Sequence, residues 1–310
     1  MNTLRESVAD YLAMRRGLGF KLSEAGKGLL DFISFLEQRG ATSITTSLAL
    51  EWAQQPSSAQ PAEWARRLSM VRCFARYRSA IDPQTEIPSP KLLPYRPKRA
   101  RPYLYTDQEI EQLLAAALSL PPADGLRRWI YHALLGLLAV SGLRISEAIG
   151  LKLEDVELSE GLLTVRGAKL GKSRLVPLHA STRQVLANYK SRRDDFLAGR
   201  SASYFFISQR GNHLDLGEVH RTFYLLSRQI GLRDPDSSSG PRLHDFRHRF
   251  AVETLLRWYR AGEDVERRLP VLSTYLGHVH VSDTYWYLSA CPELMGLAVK
   301  RLERRWEEQS

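Results

Sequence analysis

Apolar residues in the first ninety positions recur at helical spacing. Val8, Tyr11 and Leu12 are followed by Leu29, Leu30, Phe32, Ile33, Phe35 and Leu36, an interval that lays one apolar stripe along a helix. Thr46 to Gln55 and Glu63 to Ala80 continue in the same style, so the N-terminal third reads as a helical unit. The pattern stops over 82–105, where Pro83, Pro88, Pro90, Pro94, Pro97 and Pro102 are mixed with Lys98, Arg99 and Arg101. Proline fixes φ and removes a backbone donor, so this stretch predicts a basic linker able to follow a phosphate backbone.

Thr106-Asp-Gln-Glu109 has the spacing of a capping box, a helix-start signal, and opens a second domain. Helical patterns cover 107–117, 126–141 and 145–150. Leu162 to Arg166 and Arg174 to Leu178 read as two strands joined by Gly167 to Ser173. Helices are expected again at 180–197, 217–230, 244–260 and 266–276, with a helical tail from Pro292 to Trp306. The expectation is a mainly α chain with a small antiparallel β-sheet (α+β). Residues 1–95 form a helical domain, 96–105 a linker, and 106–310 a second domain ending in the tail.

At 310 residues with 44% hydrophobic content, the chain can bury a core in each domain. Charge changes the picture more. The formal net charge is +10, and residues 1–102 carry 16 Lys and Arg against 9 Asp and Glu, the remainder 28 against 25. That asymmetry suggests an anionic partner such as nucleic acid, gripped by the basic N-terminal third. The helix over 63–80 carries Arg66, Arg67, Arg72, Arg76 and Arg78. A solvated charged face is the plain reading. Contact with DNA phosphates is the functional one, with Arg66, Arg72, Arg76, Lys98, Arg99 and Arg101 as candidates.

Cys73 and Cys291 stand far apart, which offers neither a disulfide framework nor a zinc pattern and fits a reducing cytosol. No apolar run approaches the roughly 20 residues of a membrane helix, and the N-terminus lacks a signal-peptide core. A cytoplasmic protein without a membrane partner is expected.

Breaking a DNA strand without a metal needs a nucleophile for phosphorus, cations for the non-bridging oxygens and a proton for the departing 5′ oxygen. Arginine suits the oxygens, because it stays charged and can hold two of them at once. Lysine or histidine suits the leaving group. The sequence has no Cys/His metal cluster and no acidic cluster of the kind that holds paired Mg²⁺, so no cofactor is expected.

Four blocks of the second domain carry candidates for these roles, and they resemble the tyrosine recombinase (phage integrase) family, which includes the Xer-type recombinases. Ser141-Gly-Leu-Arg-Ile-Ser-Glu-Ala-Ile-Gly-Leu151 is similar to the family's first arginine box, which implies Arg144 as a phosphate ligand. Arg166-Gly-Ala-Lys-Leu-Gly-Lys-Ser-Arg-Leu-Val-Pro-Leu178 resembles its β-hairpin with the catalytic lysine. Aligned from its end, the hairpin points to Lys169, with Lys172 as the rival or a further phosphate contact. Leu243-His-Asp-Phe-Arg-His248 holds the His-x-x-Arg pair, His244 and Arg247. Leu276-Gly-His-Val-His-Val-Ser-Asp-Thr-Tyr-Trp-Tyr287 supplies the second histidine, His278, and the nucleophile, Tyr287.

The resemblance implies a site-specific recombinase that cuts and rejoins strands through a 3′-phosphotyrosine. The alternatives are a type IB topoisomerase-like relaxing enzyme or an inactive DNA-binding accessory protein. It implies a homotetramer on two DNA sites with inverted-repeat cores, with or without partner recombinases, and a tail that docks on the next protomer. Composition alone leaves Tyr285 as a rival of Tyr287; the family's spacing selects Tyr287. His280 competes with His278. Glu147 reads equally as an orienting group for Arg144 and as a plain salt-bridge partner. The segment between Arg247 and His278 is longer than in the compact Xer-type members, and the last block looks more like transposon-borne members than like housekeeping Xer proteins.

Overall fold

Thr3 begins the first helix, α1 (Leu4–Gly17), through a capping box: its hydroxyl accepts from the Glu6 amide at 3.2 Å while the Glu6 carboxylate accepts from the Thr3 amide at 2.8 Å. Two of the four orphan donors of a helix start are satisfied this way. The structure, a computed structural model, describes residues 3–93, 101–166, 173–237, 239–289 and 292–307. The chain divides into two units, residues 1–100 and 101–310.

In the first unit α1 is followed by α2 (Ser23–Gln38), α3 (Thr46–Gln54) and α4 (Pro61–Arg78). Their apolar stripes meet in one core built around Phe32, Trp52 and Phe74. Burying one such side chain contributes about 1.5–3 kcal/mol. Two of the α4 arginines belong to this packing rather than to an open face. The Arg67 guanidinium lies over the Trp52 ring, 3.7 Å from its centroid, and buried Arg78 donates to the Ser7 hydroxyl at 2.5 Å.

The second unit opens with α5 (Asp107–Leu118), whose start repeats the capping box with Thr106 and Glu109. Leu104 and Tyr105, at the end of the stretch expected as linker, pack into this unit. Tyr105 stacks on Phe246 with ring centroids 4.5 Å apart. Helix α6 (Arg127–Ser141) buries residues on nearly every side and runs through the middle of the unit, and the short α7 (Ile145–Ile149) follows it. Strands β1 (Val156–Glu157), β2 (Leu162–Val165) and β3 (Arg174–Pro177) form an antiparallel sheet in that order, with Val165 opposite Arg174. β1 adds a third strand to the expected hairpin. Two residues are too few to show an alternating pattern in sequence.

Helices α8 (Ala180–Leu197), α9 (Leu216–Gln229), α10 (Leu243–Arg260) and α11 (Val265–Leu276) complete the scaffold. They are followed by α12 (Ser282–Tyr285), a 3₁₀ turn over Trp286–Ser289, and α13 (Pro292–Glu307). Among the described residues the unit has two apolar clusters. One surrounds α6, and the other gathers α10 and α11 with Tyr287 and Leu294. Among the described residues no helix is long and apolar enough to cross a membrane.

Candidate active site

Two glycine turns shape the site. Gly142 ends α6 in the left-handed conformation (φ +60°), and Gly277 ends α11 in the same way (φ +67°), a conformation that L side chains adopt only under strain. Arg247, 1% exposed on the first turns of α10, donates to the Gly142 carbonyl at 2.9 Å and to the Leu276 carbonyl at 2.5 Å. A buried guanidinium left unpaired would be costly, and these carbonyls satisfy it. Burial, then the neighbouring Arg144, pulls Arg247 down to about 10. It remains charged at neutral pH, and an arriving anion would offset that penalty.

Arg144 precedes the first turn of α7. Its amide donates to Glu147 Oε2 at 2.9 Å, its Nη1 to Glu147 Oε1 at 2.8 Å, and its Nη2 to the Gly277 carbonyl at 3.1 Å. Glu147 also accepts both terminal nitrogens of Arg174 on β3, at 3.1 and 2.8 Å. Burial alone would push the Glu147 carboxyl upward, but the Arg174 hydrogen bonds, the Arg144 amide and the two positive charges hold it at about 2. It is ionised throughout the physiological range.

Three imidazoles and a phenol complete the cluster. The His244 ring opens to solvent, yet the atoms packed around it, and then Arg247, hold its pKa below the usual histidine value. His248, one turn further along α10, meets the His244 ring edge-on at 4.7 Å and the Tyr287 ring at 5.6 Å. Burial, then His244, pulls His248 down to about 4, so it is neutral at pH 7. His278 follows the Gly277 turn, and its Nδ1 lies 2.7 Å from the buried Thr284 hydroxyl. Tyr287 is 2% exposed, with its ring parallel to that of His278 at 6.0 Å. Tyr285 is 54% exposed, and His280 is exposed too.

The structure thus gathers Arg144, Arg247, His244, His278 and Tyr287 within one unit. Lys169 and Lys172, like Lys98 and Arg99, lie outside the described residues. In the first unit Arg66 pairs with Glu63 at 2.6 Å, while Arg72 donates to the carbonyls of Pro88 and Ser89 at 2.8 and 3.0 Å. Arg76 and Arg101 are exposed.

Three residues that sequence reasoning did not single out join the site: Arg174, His248 and Thr284. His248 was accessible from the i, i+4 spacing to His244, which places both on one helix face. Arg174 lies 27 residues from Glu147, and no local pattern announces such a pairing.

Residues 104–293 match the phage integrase family. A protein of Sinorhizobium fredii named as an integrase/recombinase, y4rB, is 60% identical over the whole of both chains. The tyrosine recombinase XerD of Mycobacterium tuberculosis is 29% identical, with 91% of each chain covered. Among solved structures, the Tn1549 transposon integrase in complex with transposon right-end DNA superposes with a TM-score of 0.67 at 17% identity, covering 98% of this chain and 99% of that one. The XerH recombinase bound to a palindromic difH substrate gives 0.64 at 19%, covering 89% and 78%. These likenesses extend across both units of the chain.

Proposed function

The chain belongs to the phage integrase family, whose tyrosine recombinases cleave and rejoin DNA, and from that membership we propose a residue-level reading of its site-specific reaction. The Tyr287 oxygen attacks the scissile phosphorus. The P–O5′ bond breaks and a 3′-phosphotyrosine forms. Arg144 and Arg247 hold the non-bridging oxygens, where charge builds in the transition state. His244 takes the phenolic proton, His278 donates to a phosphate oxygen, and Lys169 protonates the departing 5′ oxygen. Rejoining reverses each transfer when a 5′ hydroxyl attacks the phosphotyrosine. Neither a relaxing enzyme nor an inactive accessory protein is favoured by relatives named as recombinases over 91–100% of their length.

One observation carries the assignment of the nucleophile: Tyr287 is buried beside His278, His248 and Arg247, while Tyr285 faces solvent. The wild-type protein and its Tyr287→Phe and Tyr285→Phe variants, incubated with nicked duplexes of random sequence and then denatured, test it. Wild type and Tyr285→Phe should retain covalently linked DNA. A covalent adduct in Tyr287→Phe would overturn the assignment. The captured duplexes also report the recognised site. On that site, a 5′-bridging phosphorothiolate needs no leaving-group acid, so it should rescue Lys169→Ala and not Lys172→Ala.

The partners in this reading are duplex DNA with an inverted-repeat core and further copies of the chain, four on two sites, with or without partner recombinases. The helical unit 1–95 grips the core, the linker 96–105 follows the backbone, and 106–310 carries the chemistry. The outward face of α13 supports assembly, because Met295, Val299 and Leu302 are exposed along it.

A further inference from the structure

We propose that Arg174 is a positioning residue for Arg144: by sharing the Glu147 carboxylate it keeps that carboxylate from neutralising Arg144, and it ties strand β3 to the turn that presents His278. The proposal rests on the recombinase reading above and deepens it.

An ionised carboxylate has about four acceptor positions, and four donors fill those of Glu147. Oε1 takes Arg144 Nη1 at 2.8 Å and Arg174 Nη1 at 3.1 Å; Oε2 takes the Arg144 amide at 2.9 Å and Arg174 Nη2 at 2.8 Å. Arg174 holds both oxygens, the bidentate arrangement that fixes geometry best. Arg144 commits only one guanidinium nitrogen to Glu147, and its side chain is 29% exposed against 10% for Arg174. Arg174 supplies two of the four donors and two of the three guanidinium contacts, which leaves Arg144 edges for another anion.

Charge leads to the same conclusion. Two guanidiniums and one carboxylate leave a net positive cluster. Without Arg174, Arg144 and Glu147 would form a neutral, partly buried pair. The two freed acceptor positions would draw Arg144 into a bidentate grip and away from a phosphate.

Arg174 is also anchored on a second side. Its Nε donates to the Tyr275 carbonyl at 2.7 Å. A methyl group on Gly277 would lie 2.9 Å from Arg174 Nη1 and 3.6 Å from Arg144 Nη1. Glycine at this position leaves room for the Arg174 guanidinium under the turn that leads to His278. β3 follows Lys169 and Lys172 in sequence, and one side chain links that strand, Arg144 and the His278 turn.

The test is a double-mutant cycle on Arg174→Met, Glu147→Gln and the pair, with Arg174→Lys as the conservative variant. Single-turnover adduct formation is measured on a nicked suicide duplex selected by the wild-type protein. Arg174→Met should cleave roughly 10–100-fold more slowly, the usual effect of an outer partner of a site residue, and Arg174→Lys should recover much of the rate. In the Glu147→Gln background no carboxylate remains to be shared, so Arg174→Met should add little. Losses that multiply, or an Arg174→Met rate equal to wild type, would overturn the proposal.

A DNA-free arm keeps the two readings apart. Inorganic phosphate titrated against the intact protein should bind Arg174→Met several-fold more weakly than wild type or Arg174→Lys, with thermal melting as the control for folding. Equal phosphate affinity overturns the positioning role. A wild type that forms no adduct on any duplex, while the phosphate difference persists, overturns the recombinase reading instead.

Discussion

The Nδ1 of His278 lies 2.7 Å from the hydroxyl of Thr284, and Thr284 is completely buried three residues before Tyr287. This contact fixes the tilt of the imidazole, and it does so from the short helix that leads to Tyr287. Thr284→Val keeps the volume and removes the partner. Strand cleavage should fall roughly 10–100-fold, and stability by about 1–3 kcal/mol for the unsatisfied ring nitrogen. Thr284→Ser should stay near wild type. Single-turnover cleavage and urea unfolding of the three proteins check this; a fully active Thr284→Val would separate Thr284 from the chemistry.

Gly277→Ala should be worse for activity than for folding. Its left-handed φ costs a non-glycine residue about 1–2 kcal/mol, a loss the unit can survive. The added methyl, however, would lie 2.9 Å from the Arg174 guanidinium and displace it, while Arg144 stays at ordinary contact distance, 3.6 Å. Thermal melting of a folded protein, together with cleavage slowed roughly 10–100-fold as in Arg174→Met, is the expected result. Cleavage in proportion to the folded fraction would contradict it.

Much of the fold was legible because long helices repeat their apolar spacing many times. Helices α5, α6, α8 and α10 fall within one or two residues of the periodic stretches. The capping box at Thr106 was readable from two side chains. Arg144, Arg247 and His278 could be named from blocks of sequence, but not what holds them: carbonyls of Gly142, Leu276 and Gly277, brought from the ends of α6 and α11. Backbone acceptors have no sequence signature. Nor does a two-residue strand such as β1, or a helix as short as α12, which is why the periodicity assigns no element around Tyr287. The α4 arginines misled in another way. Composition counts five cations on a helix, but Arg67 and Arg78 are structural.

Acid should weaken the protein in two steps. His248 has a folded pKa of about 4, below its ordinary 6.5, so the unfolded chain binds its proton first. The stabilisation from a neutral His248 is complete above pH 6.5 and is lost as pH falls through about 4, and His244 shifts in the same direction. Glu147 at about 2, below its ordinary 4.5, adds a lower step: its contribution is present above pH 4.5 and lost as pH falls through 2. Urea midpoints measured against pH should therefore slope between 6.5 and 4. His248→Phe, which keeps a ring against Trp286 and Tyr287, should flatten that slope. An unchanged slope would assign the upper step to another group.

Two arginines of α4 should behave differently on DNA. Arg76 is exposed, whereas Arg72 holds the carbonyls of Pro88 and Ser89. Arg76→Ala should leave melting unchanged and lower the salt slope of DNA binding by about 1, the signature of one lost phosphate contact. Arg72→Ala should instead destabilise the N-terminal unit by about 1–3 kcal/mol, because two carbonyls lose a charged donor. Fluorescence anisotropy over a salt series, alongside melting curves, separates a contact from a support. A salt slope unaffected by Arg76→Ala would move the phosphate grip elsewhere on this unit.

The tail helix has an inner and an outer face with separate expected phenotypes. Its inner face is anchored in cis: Leu294 is buried against the cluster of α10 and α11, and Arg301 donates to the Glu263 carbonyl at 2.5 Å. Leu294→Ala should therefore cost about 2–5 kcal/mol, as for other buried leucines. Its outer face carries Met295, Val299 and Leu302 at intervals of four and three, all about half exposed, an apolar stripe of the kind that marks contact with another protein. Val299→Ser combined with Leu302→Ser should leave the melting of the free protein within about 0.5 kcal/mol. The same pair should reduce assembly of four copies on a duplex carrying two captured sites. Analytical ultracentrifugation with and without that duplex reads both effects. If the outer-face pair assembles as wild type does, the tetramer must be held by surfaces other than α13.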